Sequence, residues 1–240
     1  MAPRYPAITL SVVMPAYNEE GNIEKTLPRA VASLRRQVGA FEILLIDDCS
    51  KDRTAEIADA LAKEHPEIRV IRNEVNLRQG GTLKKGFPLA RYAYVTHNAM
   101  DYPFDFDDLP LLLEHFPRAD VVVAGRRTYP GISAPRQFVS WGNRTLLTLL
   151  FGANIKDYNF IQIYKKSVLD ALPTFSEATS FITPEKIIRA HHQGLYVVEV
   201  DVEYHRREVG VPSSANLKNV RRALVDMGRL FIELRAQKHG

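Results

Sequence analysis

Short apolar stretches rich in β-branched residues alternate with helical patterns through the first 125 residues of this 240-residue chain. The first stretch, Ile8–Met14, is almost continuously apolar, which is typical of a strand buried on both faces of a parallel sheet. Further strands are predicted at Glu42–Ile46, Ile68–Arg72, Tyr92–Thr96 and Ala119–Ala124. The alternation predicts an α/β fold with a mostly parallel central sheet flanked by helices.

The pattern changes in the second half of the chain. A long helix is predicted at Arg136–Phe151, followed by a strand at Asn159–Tyr164, a helix at Ser180–Gln193 and a strand at Leu195–Tyr204. The last predicted helix, Asn216–Ala236, is amphipathic and rich in arginine. Two interpretations of it stay open, a helix packed on the domain or an interfacial helix that binds anionic lipid headgroups. We therefore expect one α/β domain at 1–214 and a C-terminal amphipathic helical extension at 215–240.

Composition narrows the classes of partner. The net charge of +4 and the pI of about 9.1 suit phosphorylated ligands or an anionic membrane surface, but are too weak to indicate nucleic acid binding. Cys49 is the single cysteine, so neither a disulfide framework nor a thiolate metal cage is expected. The N-terminal sequence lacks the apolar core of a signal peptide, and no apolar run approaches the roughly 18 residues of a membrane span. These features predict a cytoplasmic protein, either free or peripheral on the inner face of a membrane.

Polar residues follow the predicted strands where a ligand would bind. Pro15 is expected to end the first strand, because it cannot donate to a ladder hydrogen bond. Tyr17 and Glu19 then lie in the loop, and Asp47 and Asp48 follow the second strand directly. In open α/β sheets ligands bind at the carboxyl ends of the strands, and an aromatic ring beside carboxylates suits a flat, hydrogen-bonding base.

The chain resembles the inverting family 2 glycosyltransferases with the GT-A fold, and is most similar to polyprenol-phosphate sugar synthases of the dolichyl-phosphate mannose synthase type. The resemblance covers about residues 8–214. It is carried, in chain order, by VVMPAYNEEGNIEKTL, EILLIDDCSKDRT, Asn76–Gly86, the GRR that ends the fifth strand, Arg136 with Ser140 and Gly142, and HRREVG. It implies a hexosyltransferase that moves a sugar from a nucleotide-diphosphate donor, linked to UDP or GDP, onto an acceptor.

The resemblance also implies roles for individual residues. Asp101 would bind the metal and act in catalysis, with Arg127 at the donor diphosphate, while Arg136 and Arg207 would bind phosphate or the acceptor. Arginine suits such contacts because its planar fork binds phosphate oxygens in pairs. Residues expected to hold the nucleotide are Pro15, Ala16, Tyr17, Glu19, Asp47, Asp48, Gln79 and Ala99.

The family's metal-binding Asp-x-Asp motif is incomplete here, since the corresponding residues are Ala99, Met100 and Asp101. One carboxylate together with diphosphate oxygens can still hold Mg²⁺, which usually keeps several waters. His97 is a further candidate ligand, better matched to Mn²⁺ than to Mg²⁺. We expect Mg²⁺ or Mn²⁺ as cofactor, and a metal-independent enzyme stays open.

The acceptor is open between two chemical classes. A polyprenyl phosphate is already ionised at neutral pH and needs no general base, whereas a hydroxyl of a saccharide or small metabolite needs one. Glu185 is the candidate catalytic base, although a glutamate early in a helix is also favoured by the helix dipole. A non-catalytic protein that binds nucleotide sugars is the alternative outside the enzymes.

Overall fold

A seven-stranded sheet forms the centre of the protein, with strand order β3-β2-β1-β4-β6-β5-β7. The computed structural model describes residues 2–116, 118–127, 134–176, 180–203 and 217–238. The strands are β1 Tyr5–Ala16, β2 Val38–Asp47, β3 Ile68–Arg72, β4 Tyr94–His97, β5 Val121–Arg126, β6 Ile161–Lys165 and β7 Val197–Val202. All strands run in one direction except β6, which pairs antiparallel with both β4 and β5. The predicted mostly parallel α/β sheet is confirmed.

Helices cover both faces of the sheet. They are α1 Glu20–Gln37, α2 Thr54–Glu64, α3 Arg78–Leu89, α4 Leu109–Leu113, α5 Ala134–Phe151, α6 Lys166–Ala171, α7 Ile182–His192 and α8 Leu217–Lys238. A short 3₁₀ turn at Phe106–Asp108 precedes α4. The short helix α6 has no counterpart among the sequence predictions. Within the described residues, no helix combines the length and apolar content needed to cross a bilayer.

Strand β1 separates two hydrophobic cores because its side chains alternate between the faces of the sheet. Leu10, Val12 and Met14 belong to the core under α1 and α2, whereas Val13 belongs to the core under α3 and α7. Gly86 lets α3 approach this second face closely. A Cβ at Gly86 would lie 2.6 Å from both Val13 Cγ1 and Ile46 Cδ1.

The prediction that Pro15 ends the first strand is wrong, since β1 continues through Pro15 and Ala16, which pair with Ile46 and Asp47. The geometry explains why proline is tolerated. The Val13 carbonyl accepts from Asn98 on the β4 side, and the Ala16 carbonyl accepts from Asp48 on the β2 side. Because backbone groups alternate in direction along a strand, the Pro15 nitrogen faces the β4 side, beyond the last residue of that strand.

The C-terminal helix packs on the rest of the chain through one face. Met227, Leu230 and Leu234 are buried in the core shared with α7, which fits the packed interpretation of this helix. The division at residues 214 and 215 stays a prediction, because residues 204–216 lie outside the described part of the chain.

Candidate functional site

The predicted nucleotide-binding residues come together at one edge of the sheet. Strands β3, β2, β1 and β4 are adjacent and parallel, so their carboxyl ends lie side by side. The chain winds from β1 outward to β2 and β3, then returns to place β4 on the other side of β1. This reversal between β1 and β4 is the topological switch point at which open α/β sheets bind ligands.

Unusual backbone geometry marks the same edge. Among the described residues, four non-glycine residues have positive φ, namely Asn18 at 55°, Cys49 at 65°, Arg78 at 61° and Tyr102 at 49°. One follows each of the strands β1, β2, β3 and β4. Non-glycine residues in the left-handed region store strain and cluster at functional sites, so the backbone itself identifies this edge as the candidate site.

The loops after β1 and β2 are fastened to each other. The Asn18 N–H donates to Ser50 Oγ at 3.0 Å, and the Lys51 N–H donates to Asn18 Oδ1 at 2.8 Å. The Glu19 N–H donates to Thr54 Oγ1 at 2.8 Å. Tyr17 directly precedes these fastened residues and is 42% exposed.

Asp47 and Asp48 are both buried at the end of β2, with 5% and 2% exposure. Asp47 Oδ1 accepts from the Ser50 N–H at 3.1 Å. Asp48 Oδ1 accepts from Asn73 Nδ2 and from the Leu77 N–H, both at 2.8 Å, and so fixes the connection from β3 to α3. Both carboxylates thus shape the loops of the site, while direct contact with a nucleotide stays a prediction.

The segment Asn76–Gly86 is mostly helical, because α3 begins at Arg78. Gln79 lies in the first turn of α3 and is exposed toward solvent. Lys85 Nζ donates to Asn73 Oδ1 at 2.6 Å. Gln79, one of the predicted nucleotide contacts, therefore lies at the N-terminus of a helix, where the helix dipole favours the binding of anions.

Asp101 and Ala99 lie in a tight turn after β4, where Asp101 is half-buried. The turn is held at both ends, since the Tyr102 N–H donates to the Ala99 carbonyl at 3.0 Å and Asn98 Nδ2 donates to the Phe104 carbonyl at 2.8 Å. From outside, Thr26 Oγ1 on α1 donates to the Met100 carbonyl at 2.7 Å.

A second set of contacts holds the residues after this turn. Arg29 on α1 forms an ion pair with Asp105, and its guanidinium lies 4.7 Å from the centre of the Tyr102 ring. The turn that carries Asp101 is thus positioned largely by α1. Thr26 and Arg29 were not among the predicted site residues. The one available signal was their spacing of three residues, which places both on the same side of α1.

The suggestion that His97 is a metal ligand is wrong. Its side chain is 4% exposed, Nε2 lies 3.0 Å from Gln162 Oε1, and the ring packs edge-on against Phe87. Gln162 Nε2 donates to the Tyr158 carbonyl, so Gln162 Oε1 accepts from a His97 that carries its proton on Nε2. Burial lowers the pKa of His97 despite this hydrogen bond and keeps it neutral within the core.

Of the residues that correspond to the family's metal-binding motif, the site therefore contains one carboxylate, that of Asp101. Among the described residues, no three His, Cys, Asp or Glu side chains group together as a metal site. A single Asp101 carboxylate fits Mg²⁺ or Mn²⁺ only if substrate oxygens and water complete the coordination, as is usual for Mg²⁺ bound with phosphate substrates.

Arg127 lies at the end of β5, with its N–H bonded to the Val202 carbonyl at 3.0 Å and its side chain exposed. The neighbouring Arg126 points elsewhere and forms an ion pair with Asp157. Arg136 lies in the first turn of α5, but its side chain is outside the described part of the structure, as is the whole of Arg207. The phosphate-binding roles of Arg127, Arg136 and Arg207 stay predictions.

Glu185 is 1% exposed and already has several partners. Its carboxylate accepts from the N–H groups of Phe175 and Ser176 at 3.1 and 2.9 Å, and from Ser176 Oγ at 2.5 Å. It also accepts from Arg189 Nε at 2.9 Å. These contacts favour a role in positioning the loop before α7, and the catalytic role of Glu185 stays a prediction.

Comparison with known proteins agrees with this architecture. The sequence profile of glycosyl transferase family 2 matches residues 11–174. An undecaprenyl-phosphate 4-deoxy-4-formamido-L-arabinose transferase from Pseudomonas fluorescens is 30% identical over 209 residues, covering 86% of this chain and 60% of that protein. The glycosyltransferase AglD from Haloferax volcanii is 30% identical over 206 residues, covering 82% of this chain and 33% of that protein. The chain thus spans about three fifths or less of these curated relatives.

A solved structure supports the fold independently of the sequence. Glucosyl-3-phosphoglycerate synthase from Mycobacterium tuberculosis, in complex with Mn²⁺, UDP-glucose and phosphoglyceric acid, superposes with a TM-score of 0.70. It is 21% identical, and the match covers 93% of this chain and 80% of that one. The predicted GT-A type fold is confirmed. Because the family profile matches more than half of its length, the chain belongs to glycosyl transferase family 2.

Proposed function

We propose that this protein transfers a sugar, with inversion, from a nucleotide-diphosphate donor to a polyprenyl phosphate. The observation that carries the proposal is the placement of Tyr17, Asp48 and Asp101 on adjacent loops at the switch point between β1 and β4. A ring, buried carboxylates and a metal-type carboxylate at one edge suit a nucleoside with its diphosphate. Relatives named for transfer to undecaprenyl phosphate add support.

In this mechanism an acceptor phosphate oxygen forms a bond to the anomeric carbon, while the bond from that carbon to the nucleoside diphosphate breaks. Asp101 would hold a divalent cation against the donor diphosphate, and the cation would supply neutralising charge for the leaving group. Arg127 would bind the diphosphate oxygens, and Tyr17 would stack on the base. The chain's main contribution is to fix both reactants in line and to meet the developing charge with a preset environment.

The contacts of Glu185 favour a phosphate over a hydroxyl as acceptor. A hydroxyl acceptor needs a general base, and Glu185, the candidate for that role, is buried and accepts hydrogen bonds from Ser176, Phe175 and Arg189. A base that would have to leave four donors is poorly suited to proton transfer. A phosphate acceptor requires no base, so the mechanism is complete without Glu185.

The test is transfer from a panel of UDP- and GDP-sugars to a short-chain polyprenyl phosphate, with Mg²⁺, Mn²⁺ or EDTA present. The matched acceptor control is the polyprenol of equal length, which differs only by the phosphate. We expect transfer to the phosphate alone, and a loss of at least about 100-fold in turnover for Asp101→Asn. Asp59→Asn, an exposed carboxylate on α2, is the matched control and should retain full activity.

Two outcomes would contradict the proposal. Transfer to the polyprenol would restore the hydroxyl alternative. If the folded protein binds nucleotide but transfers sugar to no acceptor, it is better described as a non-catalytic nucleotide-sugar binding protein.

A further inference from the structure

The C-terminal helix α8 has two faces of opposite character. Its inner face contains Met227, Leu230 and Leu234, each at most 5% exposed, packed on the core beside α7. The same side is fixed by an ion pair in which Arg189 of α7 donates to both carboxylate oxygens of Glu233, at 2.8 and 2.7 Å. Helix α8 is therefore firmly docked through its inner face.

The negative charges of α8 all lie on this inner side. The segment 217–238 contains two acidic residues, Asp226 and Glu233. Asp226 is 5% exposed, and Glu233 is held by Arg189. Asp226 lies 3.9 Å from Arg229 and partly offsets that cation, whereas the described residues of the opposite stripe contribute no carboxylate.

The outer face of α8 combines apolar and cationic side chains. Val225 and Ile232 are seven residues apart and so lie in one stripe, 46% and 71% exposed. Val220 and Leu224 are also exposed, at 49% and 52%, but they lie in the stripes of Met227 and Phe231 rather than in the outer stripe. The arginines Arg221, Arg222, Arg229 and Arg235 are exposed around the stripe.

One edge of this face borders a cavity with a mixed polar and apolar lining. Arg235 lies with its guanidinium 4.4 Å from the centre of the Phe231 ring, and both residues line a half-open cavity of about 540 Å³. The remaining walls come from the ends of α5 and α7, with Phe151 packed edge-on against Phe231 and with Leu150, Gly152, His192 and Leu234.

We propose that the outer face of α8 docks onto the surface of an anionic lipid bilayer. Exposed aliphatic side chains interleaved with arginines, without acidic residues, are the pattern of a helix that lies in the membrane interface. The arginines bind lipid phosphates, and Val225 and Ile232 enter the headgroup region. This docking goes beyond the proposed transfer and does not depend on which sugar or acceptor the protein uses.

The test is co-sedimentation of the full chain with vesicles, without donor or acceptor. Vesicles of phosphatidylcholine alone are compared with vesicles containing phosphatidylglycerol, at low and high salt. We expect binding to the anionic vesicles only, weakened by salt. The variant Arg221→Gln/Arg222→Gln/Arg229→Gln should bind roughly 100-fold more weakly, because each arginine near such a surface contributes about 1 kcal/mol. Ile232→Ser should weaken binding at high salt as well.

Matched controls separate this surface from general basicity. Arg72→Ala/Arg91→Ala removes two exposed arginines elsewhere and should leave vesicle binding unchanged. Equal binding to neutral vesicles, equal loss in this control, or self-association in place of vesicle binding would overturn the proposal. Transfer to a short-chain polyprenyl phosphate in detergent, measured in parallel, tests the proposed function separately, since the α8 variants should retain it.

Discussion

Gly125 on β5 lies directly beneath the side chain of Glu199 on β7, so closely that a Cβ at Gly125 would be 2.8 Å from Glu199 Oε1. The two strands are paired in parallel at this point. Glu199 in turn accepts from the N–H groups of Lys156 and Asp157, each at 3.0 Å. The glycine before Arg126 and Arg127 therefore makes room for a carboxylate that fixes the neighbouring loop.

Gly125→Ala should lower the free energy of unfolding by about 1–3 kcal/mol, because the added methyl displaces Glu199 from the loop it holds. Gly142 on α5 is the matched control, since a Cβ there meets no atom of the described side chains and backbone within 4 Å. Gly142→Ala should raise the free energy of unfolding by up to about 1 kcal/mol through helix propensity. Urea denaturation followed by circular dichroism measures both, and equal destabilisation by the two variants would contradict the packing argument.

Tyr164→Phe should leave stability unchanged or raise it by on the order of 1 kcal/mol. The Tyr164 hydroxyl is buried and has no hydrogen-bond partner among the residues that the structure describes, which carries a desolvation cost that phenylalanine avoids. Tyr158→Phe is the matched control, because the Tyr158 hydroxyl donates to the Ala153 carbonyl at 2.7 Å. That variant should lose about 1 kcal/mol. Thermal unfolding of both proteins distinguishes them, and a clear loss in Tyr164→Phe would show that its hydroxyl is satisfied.

His97 should make the protein sensitive to mild acid. Burial lowers the pKa of His97 in the folded state, whereas in the unfolded chain it titrates near 6.5. Below about pH 6.5 the unfolded state therefore binds a proton at His97, whereas the folded state does not. The free energy of unfolding falls as pH falls, by up to about 1.4 kcal/mol per pH unit from this group.

His97→Gln should flatten that pH dependence, since glutamine can donate to Gln162 without titrating. His115 is exposed on the surface, so His115→Gln should keep the slope of the wild type. Free energies of unfolding measured between pH 7 and pH 5 provide the comparison. An unchanged slope in His97→Gln would mean that other groups dominate acid unfolding.

Thr26→Val should lower transfer activity by about tenfold and the free energy of unfolding by about 1–3 kcal/mol, because it leaves the buried Met100 carbonyl without its donor and loosens the turn that carries Asp101. Thr26→Ser keeps the hydroxyl and should retain most activity. Turnover measured over a range of Mg²⁺ concentrations, alongside thermal unfolding, separates positioning from folding. Activity in Thr26→Val equal to that of Thr26→Ser would refute the positioning role.

The strand pattern was predictable because buried parallel strands have a strong local signature. The bounds predicted for β3, Ile68–Arg72, are those observed, and the predicted first and second strands lie within the observed ones. The direction of β6 and its position between β4 and β5 were not predictable, since a short apolar run does not encode its neighbours. Pro15 was misjudged because its tolerance depends on where β4 ends.

The positions of the candidate site residues were predictable where these residues follow the ends of strands, whereas their tertiary partners were not. Tyr17, Asp48 and Asp101 lie at the expected edge because strand ends are visible in the sequence. His97 and Glu185 have chemistry suited to catalysis, but Gln162 and Ser176, the partners that bury and engage them, are 65 and 9 residues away in sequence. Spacing alone does not reveal such pairs.

The four left-handed residues at the strand ends have a consequence for how the protein would be improved or evolved. Their strain lowers the free energy of unfolding of the protein without ligand. Because the loops are already ordered, ligand binding does not have to order them. Arg78 is then a position where glycine would relieve strain, whereas at Cys49 glycine would also remove the thiol that donates to the Glu74 carbonyl at 3.6 Å. At Asn18 the same substitution would also remove the side chain that connects the loops after β1 and β2, so relief of backbone strain there would come with a loss of order in the candidate site.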